Sequence, residues 1–325
     1  ESPLRVCVRE MAEEVSSGKI LLFFLIWYAI NVIYNDMNKT VLKVLDLPWT
    51  MACLQLGLGL LYVGPLWLTG LKKSPRLTTA NLATIAPVAL IHGLGQCVTV
   101  MSLGAGSLAF VNVVKSLEPF FNVVFGAIFM GDVLPWQVNS CLLPVVAGVA
   151  IASAAELNFT WDCFAFAMGS NVCFSLRGVL TKKTSSSPKG ENMDAGNTFA
   201  IVTAIAFLST LPVALYLEGP MLQGAWDSAI KKGVYSETEL LGRILASGLS
   251  FYLYNEVAMY TLDAVHPITH AVGNTIKRVI LILFSVVRFG TPMTEQSIIG
   301  STIAIFGVFM YSIAKTKFKP KPKTA

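Results

Sequence analysis

Six ionisable side chains interrupt segments that are otherwise apolar enough to lie in lipid: Lys115, Glu118, Arg177, Glu256, Lys277 and Arg278. A charge at the bilayer centre costs at least about 2.5 to 3.5 kcal/mol on insertion scales, so each of these groups needs a partner or a task. Lys277 and Arg278 are adjacent and repel one another. The carboxylates expected near them are Glu118 and Glu256, for which Arg177 competes. Four cations against two anions leave about two positive charges without a protein partner, and a dianionic ligand would balance them.

The residue types suit a phosphoryl group. Arg offers a planar fork to two oxygens and Lys a compact point charge, so a mixed set can surround a tetrahedral anion. At 4 Å and an effective dielectric near 20, each such pair contributes about 4 kcal/mol before desolvation is subtracted. Lys115, Lys277 and Arg278 are therefore the expected anion site. His270, Asn274 and Lys277 recur at i, i+4 and i+7 and form one polar stripe, and Asn112, Lys115, Ser116 and Pro119 form another. Asn31, Asn35 and Asn38 share a helix face and are read as interhelical glue rather than ligand contacts. His92 begins a polar run with Gln96 and Thr99 and is read as a packing residue; Tyr252, Tyr254 and Asn255 make a second run.

These residues need elements that span a membrane. The chain of 325 residues is 54% hydrophobic and 13% charged, with a mean hydropathy of +0.64, which excludes an ordinary soluble domain. Candidate spans of roughly 20 residues or more lie at 18–44, 48–70, 79–103, 107–130, 135–155, 160–183, 197–217, 239–263, 267–289 and 293–315. Two longer connections separate them, a hydrophilic stretch from Thr184 to Asn197 and an amphipathic one from Gly219 to Thr238. Residues 1–17 form a hydrophilic segment with no secretory apolar core, read as the start of a processed chain. The tail 317–325 is basic, and Lys315, Lys317, Lys319, Lys321 and Lys323 account for the net charge of +5. Beside a membrane that is a topology or headgroup signal, and no nucleic acid is expected. The N-terminus, Lys72, Lys73, Arg76, Lys182, Lys183, Lys189 and the tail would share one face, with few basic residues opposite; this favours an even number of spans. Cys7, Cys53, Cys97, Cys141, Cys163 and Cys173 lack metal or pairing spacing, five of them lie in apolar segments, and they read as packing residues; no cofactor is expected. Asn38-Lys-Thr and Asn158-Phe-Thr match the glycosylation pattern by chance.

A shift of 159 residues lays the fourth and fifth spans on the ninth and tenth. Leu103, Ala105, Val113, Phe125, Gly131, Gln137 and Gly148 then meet Leu262, Ala264, Val272, Phe284, Gly290, Gln296 and Gly307. Two five-helix halves that each cross an odd number of times have opposite orientations. The expected fold is therefore all-α and polytopic, with ten transmembrane helices in two inverted repeats, 18–155 and 156–316, and a site near the midplane.

Residues 265–279, Val-His-Pro-Ile-Thr-His-Ala-Val-Gly-Asn-Thr-Ile-Lys-Arg-Val, closely resemble the ninth-helix signature of the plastid phosphate translocators. Asn31 to Lys39, the run Val114-Lys-Ser-Leu-Glu-Pro-Phe-Phe121, Leu176-Arg177 and Lys182-Lys183 are similar to the same family in order along the chain. The resemblance implies a fold of the drug and metabolite transporter superfamily and exchange of phosphorylated sugars or acids against inorganic phosphate. It also implies that Lys115, Lys277, Arg278 and Thr99 bind the phosphoryl group while Gln96 and Tyr254 face the carbon skeleton. Gln96 stands where triose-phosphate members carry His and phosphoenolpyruvate members Asn, and Glu256 stands where a Gln is common. The Lys-Ser-Leu-Glu-Pro-Phe-Phe run resembles the three-carbon carriers more than the hexose-phosphate ones.

The expected function is exchange of triose phosphate, 3-phosphoglycerate or phosphoenolpyruvate for inorganic phosphate by alternating access. The resemblance implies the inner membrane of a plastid, whether a chloroplast or the plastid-derived organelle of a parasite. The partners are inorganic phosphate, small phosphorylated metabolites and the lipid bilayer. A hexose-phosphate exchanger, a nucleotide-sugar carrier and an anion channel remain alternatives. An enzyme is not expected, because no carboxylate pair, metal cluster or activated nucleophile stands at workable spacing.

Overall fold

The computed structural model describes residues 17–184, 190–265 and 267–318. Residues 1–16 with Cys7, the Ser-Ser-Ser-Pro-Lys run at 185–189, His266, and Lys319, Lys321 and Lys323 lie outside the described residues.

Helix α1 runs Ser17–Leu42, α2 Pro48–Leu68 and α3 Thr79–Ala105. The fourth span is divided into α4 (Leu108–Val114), a 3-10 turn (Lys115–Leu117) and α5 (Glu118–Met130); the fifth is α6 (Trp136–Asn139) followed by α7 (Leu142–Ala154). Then come α8 (Trp161–Lys183), α9 (Ala195–Glu218), a short α10 (Leu222–Lys231), α11 (Glu237–Ala264), α12 (Pro267–Phe289) and α13 (Glu295–Lys317). Among the described residues, nine helical stretches are long and apolar enough to cross a membrane. Helix α11, with 28 residues, has the length but not the apolarity. Its Ser247, Ser250 and Glu256 are buried against protein rather than lipid, which is why a polar sequence is tolerated there. The amphipathic stretch 219–238 holds α10, which packs Ala225, Trp226 and Ala229 on the core.

Local sequence sets the helix starts. Thr78 with Asn81 opens α3 and Ser236 with Glu239 opens α11, each as a reciprocal capping box. Ser107, Thr160, Asp194 and Thr294 cap α4, α8, α9 and α13. The start of α2 has no side-chain cap of its own. Glu218, at the end of α9, accepts from Trp49 N (3.0 Å) and Thr50 N (2.7 Å) instead.

Packing is pairwise: α7 crosses α13, α3 lies along α8, and α1 lies along α11, while α9 joins α2 and α3. The α7 and α13 backbones touch, since a Cβ on Gly148 would stand 2.4 Å from Ala304 N and one on Gly300 would stand 2.5 Å from Ala152 N. Gly131 and Gly290 both adopt left-handed conformations, φ 65° and 60°, and terminate α5 and α12.

The two ends of the bundle differ in charge less than the sequence suggested. One carries Lys72, Lys73, Lys182 and Lys183, as expected. At the other, Arg288 pairs with Asp36 at 2.9 Å, Arg243 donates to Thr40 at 3.4 Å, Lys232 donates to the Val44 carbonyl at 3.2 Å, and Lys43 lies 4.8 Å above Phe289. Lys39 donates to the carbonyls of Leu103 (2.5 Å) and Gly106 (2.6 Å) at the end of α3, where the helix dipole favours a cation.

Candidate functional site

The fourth span breaks where its lysine enters the bundle. Pro119 has no N–H, so the Lys115 carbonyl cannot form the usual i to i+4 bond and accepts from Glu118 N as a 3-10 turn. Two α8 side chains satisfy neighbouring carbonyls: Asn171 Nδ2 donates to Val114 O at 2.9 Å and Ser175 Oγ to Glu118 O at 3.1 Å. The break lets α4 and α5 follow different partners. Helix α4 packs on α12, with Ala109 N donating to Ser285 Oγ at 3.1 Å, whereas α5 packs on α8.

Between them is a cavity of about 310 Å³. Its lining runs from Leu103, Val111 and Leu281, on the side of the Lys39 end of the helices, to Leu262 and His270, on the side that carries Lys72. All six expected site residues line it: Gln96, Thr99, Lys115, Tyr254, Lys277 and Arg278. Lys115 Nζ donates to Ser170 Oγ at 2.9 Å and to Thr99 Oγ1 at 3.3 Å, and lies 5.1 Å above Phe174. Lys277 Nζ rests 4.9 Å above the Trp27 ring, a cation–π contact, and the described ion pairs do not include it. Arg278 Nη2 donates to Glu118 Oε2 at 2.5 Å, while its buried Nη1 has no hydrogen-bond partner among the described residues. Tyr254 packs tilted beside Tyr34, with ring centroids 5.2 Å apart, and edge-on to Phe251 at 5.8 Å.

Two expectations are corrected. Glu256 does not serve the cavity cations; it pairs with Lys72 at 3.0 Å near the end of the bundle, beside the Tyr260 hydroxyl. Burial alone would lower the Lys72 pKa, but the hydrogen bond and charge of Glu256 outweigh it and hold it raised. Nor does Arg177 compete for a carboxylate. Its Nη1 lies 2.9 Å from His92 Nδ1 and its guanidinium 5.1 Å above Phe174. Since Arg can only donate, Nδ1 accepts and His92 is neutral with its proton on Nε2. The cavity thus gathers Lys115, Arg177, Lys277 and Arg278 against Glu118, three unbalanced positive charges rather than two.

Residues set aside from sequence also reach the cavity. Asn31 and Asn35 line it, bonded to each other through Asn35 Nδ2 and the Asn31 carbonyl at 2.8 Å, whereas Asn38 is interhelical glue as expected. His92 lines it as the Arg177 acceptor. Ser170 and Trp27 carry no distinguishing signal in sequence, one being a lone Ser in an apolar helix and the other an aromatic inside an apolar span.

A bundle of membrane-length helices around a cation-lined cavity defines a polytopic membrane protein. The profile of the Triose-phosphate Transporter family matches residues 18–312, and the chain belongs to that family. It is 39% identical over 305 residues to the triose phosphate/phosphate translocator of non-green plastids from Brassica oleracea var. botrytis, covering 94% of this chain and 74% of the relative. It is 38% identical over 326 residues to phosphoenolpyruvate/phosphate translocator 1 of Arabidopsis thaliana, covering 98% and 78%. A chloroplastic triose phosphate/phosphate translocator from Solanum tuberosum is 38% identical over 302 residues, covering 93% and 71%. A protein of known crystal structure shares the fold with a TM-score of 0.54 at 13% identity, over 92% of this chain and 99% of its own.

Proposed function

We propose that the chain is an antiporter of a plastid membrane, exchanging inorganic phosphate for three-carbon phosphorylated metabolites, and that it is not an enzyme. The observation that carries this reading is the charge imbalance: four cations and one carboxylate converge on a cavity, with no counterion for the rest among the described residues that line it. Lys115, Lys277, Arg278 and Thr99 hold the phosphoryl oxygens, and the free Nη1 of Arg278 is a ready donor. Gln96 and Tyr254 bound the carbon skeleton. The cavity volume of about 310 Å³ suits a three-carbon phosphate better than a nucleotide sugar.

The inverted halves 18–155 and 156–316 are the mechanical frame of this proposal. Their packing supports it: α3 on α8 matches α11 on α1, and α9 on α3 matches α2 on α11, as exchange of the halves requires. Matched sequence positions carry matched roles, Gly131 and Gly290 as left-handed caps, and Gly148 and Gly307 in the α7–α13 crossing. When empty, the cavity cannot close without desolvating uncompensated cations, at a cost of several kcal/mol. Bound phosphate removes that cost, so only the loaded carrier rocks, and exchange is one for one.

The test is labelled phosphate uptake into proteoliposomes that are empty, phosphate-loaded, or loaded with triose phosphate, 3-phosphoglycerate, phosphoenolpyruvate or glucose 6-phosphate. Uptake confined to loaded vesicles, strongest with the three-carbon compounds, is expected. Uptake into empty vesicles would replace the antiporter with a channel or uniporter.

A further inference from the structure

Gln96 reaches the cavity with its amide protons already committed. Its Nε2 donates to Gln55 Oε1 at 2.7 Å and to the Tyr34 hydroxyl at 3.0 Å. Behind it, Gln55 is fully buried and does not line the cavity. Gln55 Nε2 in turn donates to Asn38 Oδ1 and Ser247 Oγ, each at 2.9 Å, and the Tyr34 hydroxyl lies 3.4 Å from Gln55 Oε1. Four helices, α1, α2, α3 and α11, therefore share one polar network. Turning the Gln96 amide alone would set oxygen against oxygen at Gln55; turning Gln55 alone would set N–H against N–H. The polarity is held in common. What remains for the cavity is the Gln96 carbonyl oxygen, which accepts no hydrogen bond from the described residues.

We propose that this network makes Gln96 an acceptor-only wall that selects three-carbon phosphates bearing a free hydroxyl over those bearing none, with Gln55 as the positioning residue. The inference rests on the phosphate-exchange reading. Triose phosphates and 3-phosphoglycerate carry a hydroxyl on the carbon skeleton and can donate to Gln96. Phosphoenolpyruvate has no hydroxyl and meets the carbonyl with acceptors only, leaving both sides unpaired in a buried cavity.

The experiment uses the full chain in phosphate-loaded proteoliposomes and compares KM and kcat for external 3-phosphoglycerate, its deoxy analogue 3-phosphonooxypropionate, and phosphoenolpyruvate. Wild type should show a KM at least about tenfold higher for the analogue than for 3-phosphoglycerate, and Gln55→Leu should bring the two within about twofold. Gln55→Glu, isosteric and still offering an accepting oxygen, should restore the preference. Equal KM values in wild type overturn the proposal, whatever the variants do. A preference that survives Gln55→Leu removes Gln55 from the role. Absence of phosphate-for-phosphate exchange in wild type would instead overturn the antiporter reading on which the inference stands.

Discussion

Arg278 has two unequal ends: one nitrogen of its guanidinium is held by Glu118 and the other is buried without a hydrogen-bond partner among the described residues. Lysine cannot reproduce that, because its single ammonium would satisfy the carboxylate or the ligand but not both in the same plane. Arg278→Lys should therefore lower phosphate exchange by roughly 10- to 100-fold, the scale of one charge-assisted hydrogen bond, with little change in protein yield. Lys277→Met should lose a similar amount, since the ammonium it removes is engaged by the Trp27 ring and is in none of the described ion pairs. Both are read as initial exchange rates in proteoliposomes at a single phosphate concentration below KM. These two residues were legible in sequence because adjacent charges deep in one span have no bland explanation. Arg177 was legible as a charge but not as a partner of His92, which stands 85 positions earlier on another helix. Glu256 misled for the same reason. Its partner Lys72 lies in a loop 184 positions away, and charge arithmetic along a chain does not know which end of a helix a loop returns to.

Helices here act through where they stop or touch. Sequence gave continuous spans at 107–130 and 135–155, yet Pro119 divides the first, and the second opens as the short helix α6 before α7 begins. A proline in the middle of a span is itself a break signal, since it removes a backbone bond and crowds the preceding turn, but a span drawn on apolar length alone passes over it. The glycines that the 159-residue shift pairs, Gly131 with Gly290 and Gly148 with Gly307, cap α5 and α12 and lie in the α7–α13 crossing. That contact can be tested by itself. Gly148→Leu places a side chain against the Ala304 nitrogen and the Gly300 carbonyl, where backbone cannot give way. It should lower the thermal unfolding midpoint in detergent, by about 3 kcal/mol or more of destabilisation. Surviving protein should keep the wild-type ranking of substrates, because neither residue lines the cavity. A changed ranking would mean that the α7–α13 crossing shapes the site as well as supporting it.

At the scale of the molecule the asymmetry of the fourth and ninth spans defines a state. Helix α4 is held to α12 through Ala109 and Ser285, and Lys39 ties α1 to the end of α3 at the same end of the bundle. Towards the opposite end α5 follows α8, and Phe120, Phe121, Val123 and Phe125 are only half buried. The fourth and ninth spans are therefore packed on one another at the Lys39 end, whereas towards the Lys72 end the fourth span packs on α8 instead. Exchange of roles between the halves would bring α5 against α12 while parting α4 from it. Spin labels at Ile128 on α5 and Thr269 on α12, both exposed, report that movement directly. In a cysteine-free background, with both sites labelled, the distance between them should shorten when phosphate is added and stay long in buffer without anion. The shift should disappear in Lys277→Met, since a ligand moves the equilibrium only by its differential affinity for the two states. A distance indifferent to phosphate in the wild type would mean that closure does not depend on neutralising the cavity, and the one-for-one coupling would need another cause.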